Sequence, residues 1–137
     1  MKQATPGAVY VFGNISTPRQ VKIGTTAGSV LARNRALSRT SAVATPFRVL
    51  FYYEVDDAVF GELLIHRSLA GRRVRRRREF FWVGKDELSD LQDLMTIMLT
   101  SVAADPQPKT VHRDDLSSEE SIVWLEDPSS LPYVQNQ

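Results

Sequence analysis

Residues 8–13, Ala-Val-Tyr-Val-Phe-Gly, are almost wholly apolar and rich in β-branched and aromatic side chains. Such a run reads as a strand. Gly13-Asn14 opens a turn, Pro18 keeps the chain out of regular pairing, and residues 20–25 read as a second strand. The two are expected to form an antiparallel hairpin with a loop of about six residues. Gly28-Ser29 offers a helix start. Val30, Leu31, Leu37 and the alanines between them then carry an amphipathic helix to about Ser38. A loop rich in Ser, Thr and Ala over 38–46 leads into a buried third strand over 47–55. Asp56-Asp57 can cap a second helix, on which Val59, Phe60, Leu63 and Leu64 are expected to form the apolar stripe.

Gly71 ends that helix, residues 71–78 read as a loop, and 79–83 as a short strand or extended segment. A third helix over 86–102 gathers Leu88, Leu91, Leu94, Met95, Met98, Leu99 and Val102 on one face. Asp105-Pro106-Gln107-Pro108 ends it. The remainder is polar and acidic apart from Ile122-Val123-Trp124-Leu125, preceded by Ser117 and Glu120 at capping-box spacing. The pattern predicts an α/β (α+β) fold: a small three-stranded, mainly antiparallel sheet flanked by helices, with a C-terminal helix and acidic tail. Residues 1–103 form the predicted domain, and 104–137 the tail with a short docked helix.

Composition narrows the chemistry. The 137 residues include no cysteine, which excludes disulfides and Cys-ligated zinc. No stretch approaches the length of a membrane span, and the N-terminus lacks the pattern of a secretory signal, so a soluble cytoplasmic protein is expected. The net charge of +1 hides an asymmetry: residues 1–103 carry 15 Lys and Arg against 9 Asp and Glu, whereas residues 104–137 carry 2 against 7. A basic body suits a polyanion such as DNA, single-stranded or duplex. Arg67, Arg72, Arg73, Arg75, Arg76, Arg77 and Arg78 crowd into twelve residues beside Glu79-Phe80-Phe81-Trp82. Such a run is commonly a solvated face; here a DNA-backbone clamp is the better reading, joined by Arg35 and Arg39 from the first helix. The Trp124 cluster could cover the third helix, bind a partner protein or mediate self-association. The acidic residues around it could mask the Arg run.

The order of motifs resembles the GIY-YIG endonuclease superfamily, in particular its small phage and bacterial branch with a Lys-Ile-Gly second motif. Ala8-Val9-Tyr10 stands where the family has Gly-Ile-Tyr, and Lys22-Ile23-Gly24 where it has Tyr-Ile-Gly. Arg33 matches the helix arginine and Glu62 the metal-binding glutamate, while Glu62-x3-His66 and Arg78-Glu79-Phe80-Phe81 look like signatures of the branch. The resemblance spans residues 7–83. It implies metal-dependent hydrolysis of phosphodiester bonds in DNA, with one Mg²⁺ or Mn²⁺ ion on Glu62. Tyr10 would be the base, its phenol acidified by Lys22, which with Arg33 would also steady the phosphorane-like charge. His66 would bind phosphate, shuttle a proton or simply stack at the helix edge. Gly24 and Glu79 would support the site, Glu79 near the place of an asparagine that many relatives carry and this chain lacks. The alternative is a catalytically weak or inactive module that binds nucleic acid or protein in a phage or defence complex.

Overall fold

The computed structural model describes residues 3–40, 45–84 and 86–126. Part of the loop expected over 38–46, and the tail after residue 126, lie outside the described residues. The chain runs β1 (Gly7–Asn14), β2 (Gln20–Thr26), α1 (Val30–Ser38), β3 (Phe47–Val55), α2 (Ala58–Ser68), β4 (Phe80–Trp82), α3 (Leu88–Met98) and α4 (Ser118–Glu126), with short 3₁₀ turns at 70–72, 99–101 and 113–115. The sheet has four strands in the order β3-β1-β2-β4, every pair antiparallel. The sequence pattern led to three, because the fourth is only three residues long and sits after a run of arginines.

Local chemistry sets the boundaries. Asn14 closes the hairpin: its Oδ1 accepts from Ser16 N at 3.0 Å, and its Nδ2 donates to Thr45 O at 2.7 Å. Ser29 caps α1 by accepting from Ala32 N, and Asp57 caps α2 by accepting from Phe60 N. Ser117 and Glu120 form the expected reciprocal capping box at the start of α4.

The central strand β1 is buried on both faces. Val9 and Val11, with Val21, Ile23, Phe51 and Tyr53, pack beneath Ile65 of α2 and Leu91, Met95 and Leu99 beside and along α3. Ala8, Tyr10 and Phe12 point the other way, into a second core with Val30 of α1, Val49, Val111 and Trp124 of α4. Strand alternation thus divides the molecule into three layers. A bulge between Val11 and Phe12 shifts the register so that Val11 faces Phe51 and Phe12 faces Val49.

The expected stripe on α2 is not the buried one. Its buried residues are Ala58, Gly61 and Ile65, whereas Val59, Phe60 and Leu63 are 52%, 44% and 43% exposed. A Cβ on Gly61 would lie 3.1 Å from Leu99 Cδ2 and 3.3 Å from Val9 Cγ2. The helix approaches the sheet on its small residues, and the large ones are turned outward. On α3 and the 3₁₀ turn that follows it, Leu91, Met95 and Leu99 are buried as expected, but Leu94 is 38% exposed.

The segment after α3 returns to the sheet. Lys109 and Tyr52 exchange backbone hydrogen bonds at 2.8 and 2.9 Å, and Trp124 reaches the core on the face opposite α3. Arg35 fastens this segment, donating through Nε and Nη2 to Glu120 at 2.9 and 2.8 Å and through Nη2 to Asp115 O at 2.8 Å. Arg35 was expected to face nucleic acid; it is held instead by Glu120 and the Asp115 carbonyl of the C-terminal segment. The Arg35 bond holds the Glu120 carboxyl below the usual 4.5. The folded state binds fewer protons there, so this stabilisation is complete above the usual value and is lost as pH falls through the lowered one. Glu120→Gln is expected to cost about 1 kcal/mol at pH 7, partial exposure considered. The difference from the parent protein should disappear in acid, as followed by thermal unfolding at several pH values.

Among the described residues, no helix is long and apolar enough to cross a membrane.

Candidate active site

On the β2 side, the β4 ladder covers Gln20, Val21 and Lys22, and on its other side Phe81 bridges Arg73. One further bond, Ile23 N to Glu79 O at 2.9 Å, extends the pairing by a residue. Past that point β4 no longer flanks β2, and groups from both layers meet around its edge. Tyr10, Lys22 and Arg33 come from the α1 side; Glu62 and His66 come from α2.

Tyr10 lies directly across from Gly24 in the β1–β2 ladder. A Cβ on Gly24 would sit 2.7 Å from Cζ of Tyr10, so the phenol occupies the space that a side chain at position 24 would take. Phe12 stacks on the Tyr10 ring with centroids 3.8 Å apart and planes at 12°. Arg33 is the cation that acts on the phenol. Burial raises the Tyr10 pKa above 10.0, Arg33 opposes it, and the carboxylates of Glu79 and Glu62 add to the rise. Lys22, expected in that part, is engaged elsewhere.

Lys22 is buried on β2, and its Nζ donates to Glu79 Oε2 at 2.5 Å while lying 5.3 Å from the Phe80 ring centroid. A buried ammonium needs such a partner. Glu79 is half exposed and sits where β4 begins, so one carboxylate both neutralises Lys22 and borders solvent.

Glu62 lies beside an open groove of about 650 Å³ whose lining also includes Leu63, His66, Arg67, Arg73, Arg78 and Glu79. Burial raises the Glu62 pKa above 4.5; His66 opposes that, Glu79 adds to it, and Lys22 opposes it in turn. His66 donates from Nε2 to Ile23 O at 2.9 Å, taking a carbonyl that β4 leaves unpaired, and its ring packs 5.0 Å from Phe81. The bond fixes the proton on Nε2 and leaves Nδ1 toward other partners. The His66 ring thus meets Phe81 at the helix edge with the two planes tilted by 56°.

The chemistry of the donors suits a hard divalent cation. Among the described residues, no cluster of three or more His, Cys, Asp or Glu could enclose a metal. Mg²⁺ needs no such cluster, since it keeps waters and takes one or two carboxylates with substrate phosphate. Glu62, disfavoured as an anion where it stands, is the carboxylate such an ion would relieve; Glu79 is already spent on Lys22.

The arginines do not act as one block. Arg72 makes a bidentate pair with Glu87, both bonds 2.9 Å. Arg77 lies 3.6 Å over the Phe80 ring and donates to Gln20 at 2.7 Å. Arg73 covers Phe81 at 5.5 Å while lining the groove with Arg78. Arg75 and Arg76 are exposed on the connecting turn, where Arg76 has φ 66°, and Arg39 is exposed at the end of α1. Sequence reasoning placed Arg67 in the run without giving it a contact. It lines the groove next to His66, and the signal was its position one residue after that histidine on α2.

Neither a curated protein nor a solved structure matches the chain. A family model, the T5orf172 domain, matches residues 7–96, from the start of β1 into α3. That span contains Tyr10, Lys22, Arg33, Glu62, His66 and Glu79 together. The match covers well over half of the chain, which therefore belongs to the T5orf172 domain family, a phage-derived domain found in some GIY-YIG-like and HNH-like endonucleases.

Proposed function

We propose that the groove at the β2 edge is the active site of a metal-dependent endonuclease that hydrolyses phosphodiester bonds in DNA. The observation that carries this reading is the meeting at the β2 edge of the Tyr10 phenol in the gap over Gly24, the Lys22–Glu79 pair and the groove lined by Glu62 and Glu79, with Arg33, Glu62 and Glu79 all acting on the phenol. In the reaction, water attacks phosphorus, the bond to the leaving sugar oxygen breaks, and the water proton passes to a base. Burial holds the Tyr10 phenol in its protonated form, Arg33 opposes that, and a cation bound at Glu62 would oppose it further, toward the phenolate able to take that proton. The planar fork of Arg33 also suits the phosphate oxygens as their charge grows. Lys22 holds a second positive charge beside them, released to the phosphate when Glu79 yields. A divalent cation held by Glu62 would polarise the phosphate and steady the leaving oxygen. His66 keeps the end of β2 and the α2 flank in register.

The test is cleavage of plasmid and single-stranded DNA with Mg²⁺ or Mn²⁺, beside Tyr10→Phe, Arg33→Ala and Glu62→Ala. Each variant is expected to lose on the order of a hundredfold or more in rate. Equal cutting by all four proteins would identify a contaminant. The second reading, a module that binds without cutting, draws on the burial of Tyr10 and the closed Lys22–Glu79 pair. It would be established by retained binding with no cleavage.

A further inference from the structure

The outward face of α2 carries three large apolar side chains, Val59, Phe60 and Leu63, at 52%, 44% and 43% exposure. Spacings of three and four residues place them on one stripe, and the next position along it is Arg67. Leu63 and Arg67 both line the groove that holds Glu62. From Phe60 to Arg67 the helix rises about 10 Å. The stripe therefore passes from apolar to cationic within a short reach of the proposed scissile position. Arg73 and Arg78 extend the cationic end on the far wall.

A duplex has little use for this surface. Its phosphates would meet the arginines, but its base faces are stacked inside and offer nothing flat to an exposed phenyl ring. Unpaired nucleotides present both parts at once, a phosphate track and bare π-faces. We infer that α2 is a platform for single-stranded DNA: a base flanking the scissile phosphate rests on Phe60 and Leu63, and the backbone follows Arg67, Arg73 and Arg78. This rests on the nuclease reading for the place of the scissile phosphate, and it adds the strand type. Continuity between the apolar stripe and the cationic groove favours a nucleic acid over a protein as the occupant.

The test uses the full chain without divalent metal. Three labelled probes of equal length are compared by fluorescence anisotropy: oligothymidylate, an abasic single strand with the same phosphates, and a duplex. The parent protein should bind oligothymidylate on the order of tenfold more tightly than the abasic strand. Phe60→Ala and Leu63→Ala are each expected to shrink that difference while leaving abasic and duplex affinity unchanged. Circular dichroism of these surface variants checks that they fold. Equal affinity of the parent for abasic and base-bearing strands overturns the inference. So does an equal loss on all three probes, or a parent dimer that Phe60→Ala converts to monomer in sedimentation. The nuclease reading fails separately: a base-dependent affinity with no cleavage under Mg²⁺ would remove the enzyme and keep the platform.

Discussion

Trp124→Ala is expected to lose about 3–5 kcal/mol of folding stability, the range for truncating a large buried aromatic side chain. Trp124 is 1% exposed and shares its core with Tyr10, Phe12, Val30, Phe47 and Val111. The cavity left by its indole would open between α4 and the sheet, where Arg35 and Glu120 already fix the geometry and limit collapse. Typical domains have 5–15 kcal/mol in total, so the loss is a large fraction of the whole. Denaturant unfolding provides the measurement, with a fall in midpoint at nearly constant slope. Ile122→Ala on the same helix is the control: Ile122 is 59% exposed, and its change should remain within about 0.5 kcal/mol. Equal midpoints for the two variants would mean that α4 does not contribute to the core.

Gly24→Ala is expected to damage both stability and cleavage. The added methyl would meet Cζ and Cε1 of Tyr10 at 2.7 and 3.1 Å. The ring cannot retreat, because Phe12 stacks against it and Val30 and Phe47 belong to the same core. Overpacking of this kind costs about 1–3 kcal/mol. The phenol would move with the ring, and a displacement of about 1 Å at a reacting group can cost on the order of a hundredfold in rate. Cleavage by Gly24→Ala should therefore fall much further than its stability. The two effects are separated by measuring the rate well below the melting temperature. Unchanged cleavage would show that the Tyr10 oxygen has no part in the chemistry.

Much of this arrangement could be read from residues in order. The apolar, β-branched run of β1, the caps at Ser29 and Asp57, and the Ser117–Glu120 box are local, and each holds in the structure. What escaped was decided by contacts between distant segments. The buried arc of α2 could not be found from apolar periodicity, because it consists of Ala58, Gly61 and Ile65 and depends on how closely the helix approaches Val9 and Leu99. The assignment of ionic partners was equally nonlocal: Arg35 meets Glu120 across 85 residues, and Lys22 meets Glu79 across 57. The candidate residues came from motif order, but their pairing did not. Arg33 lies on a helix with no sequence signal that its guanidinium turns toward Tyr10.

The shortness of β4 has a mechanical consequence. Because its three residues end level with Lys22, the site is a seam where two separately packed layers join along β2. The layer with α1 and α4 carries the phenol and its guanidinium; the layer with α2 and α3 carries Glu62. Substitutions deep in either core would then slide one half of the site past the other without unmaking either, so the spacing between base and carboxylate becomes adjustable from positions far outside the groove.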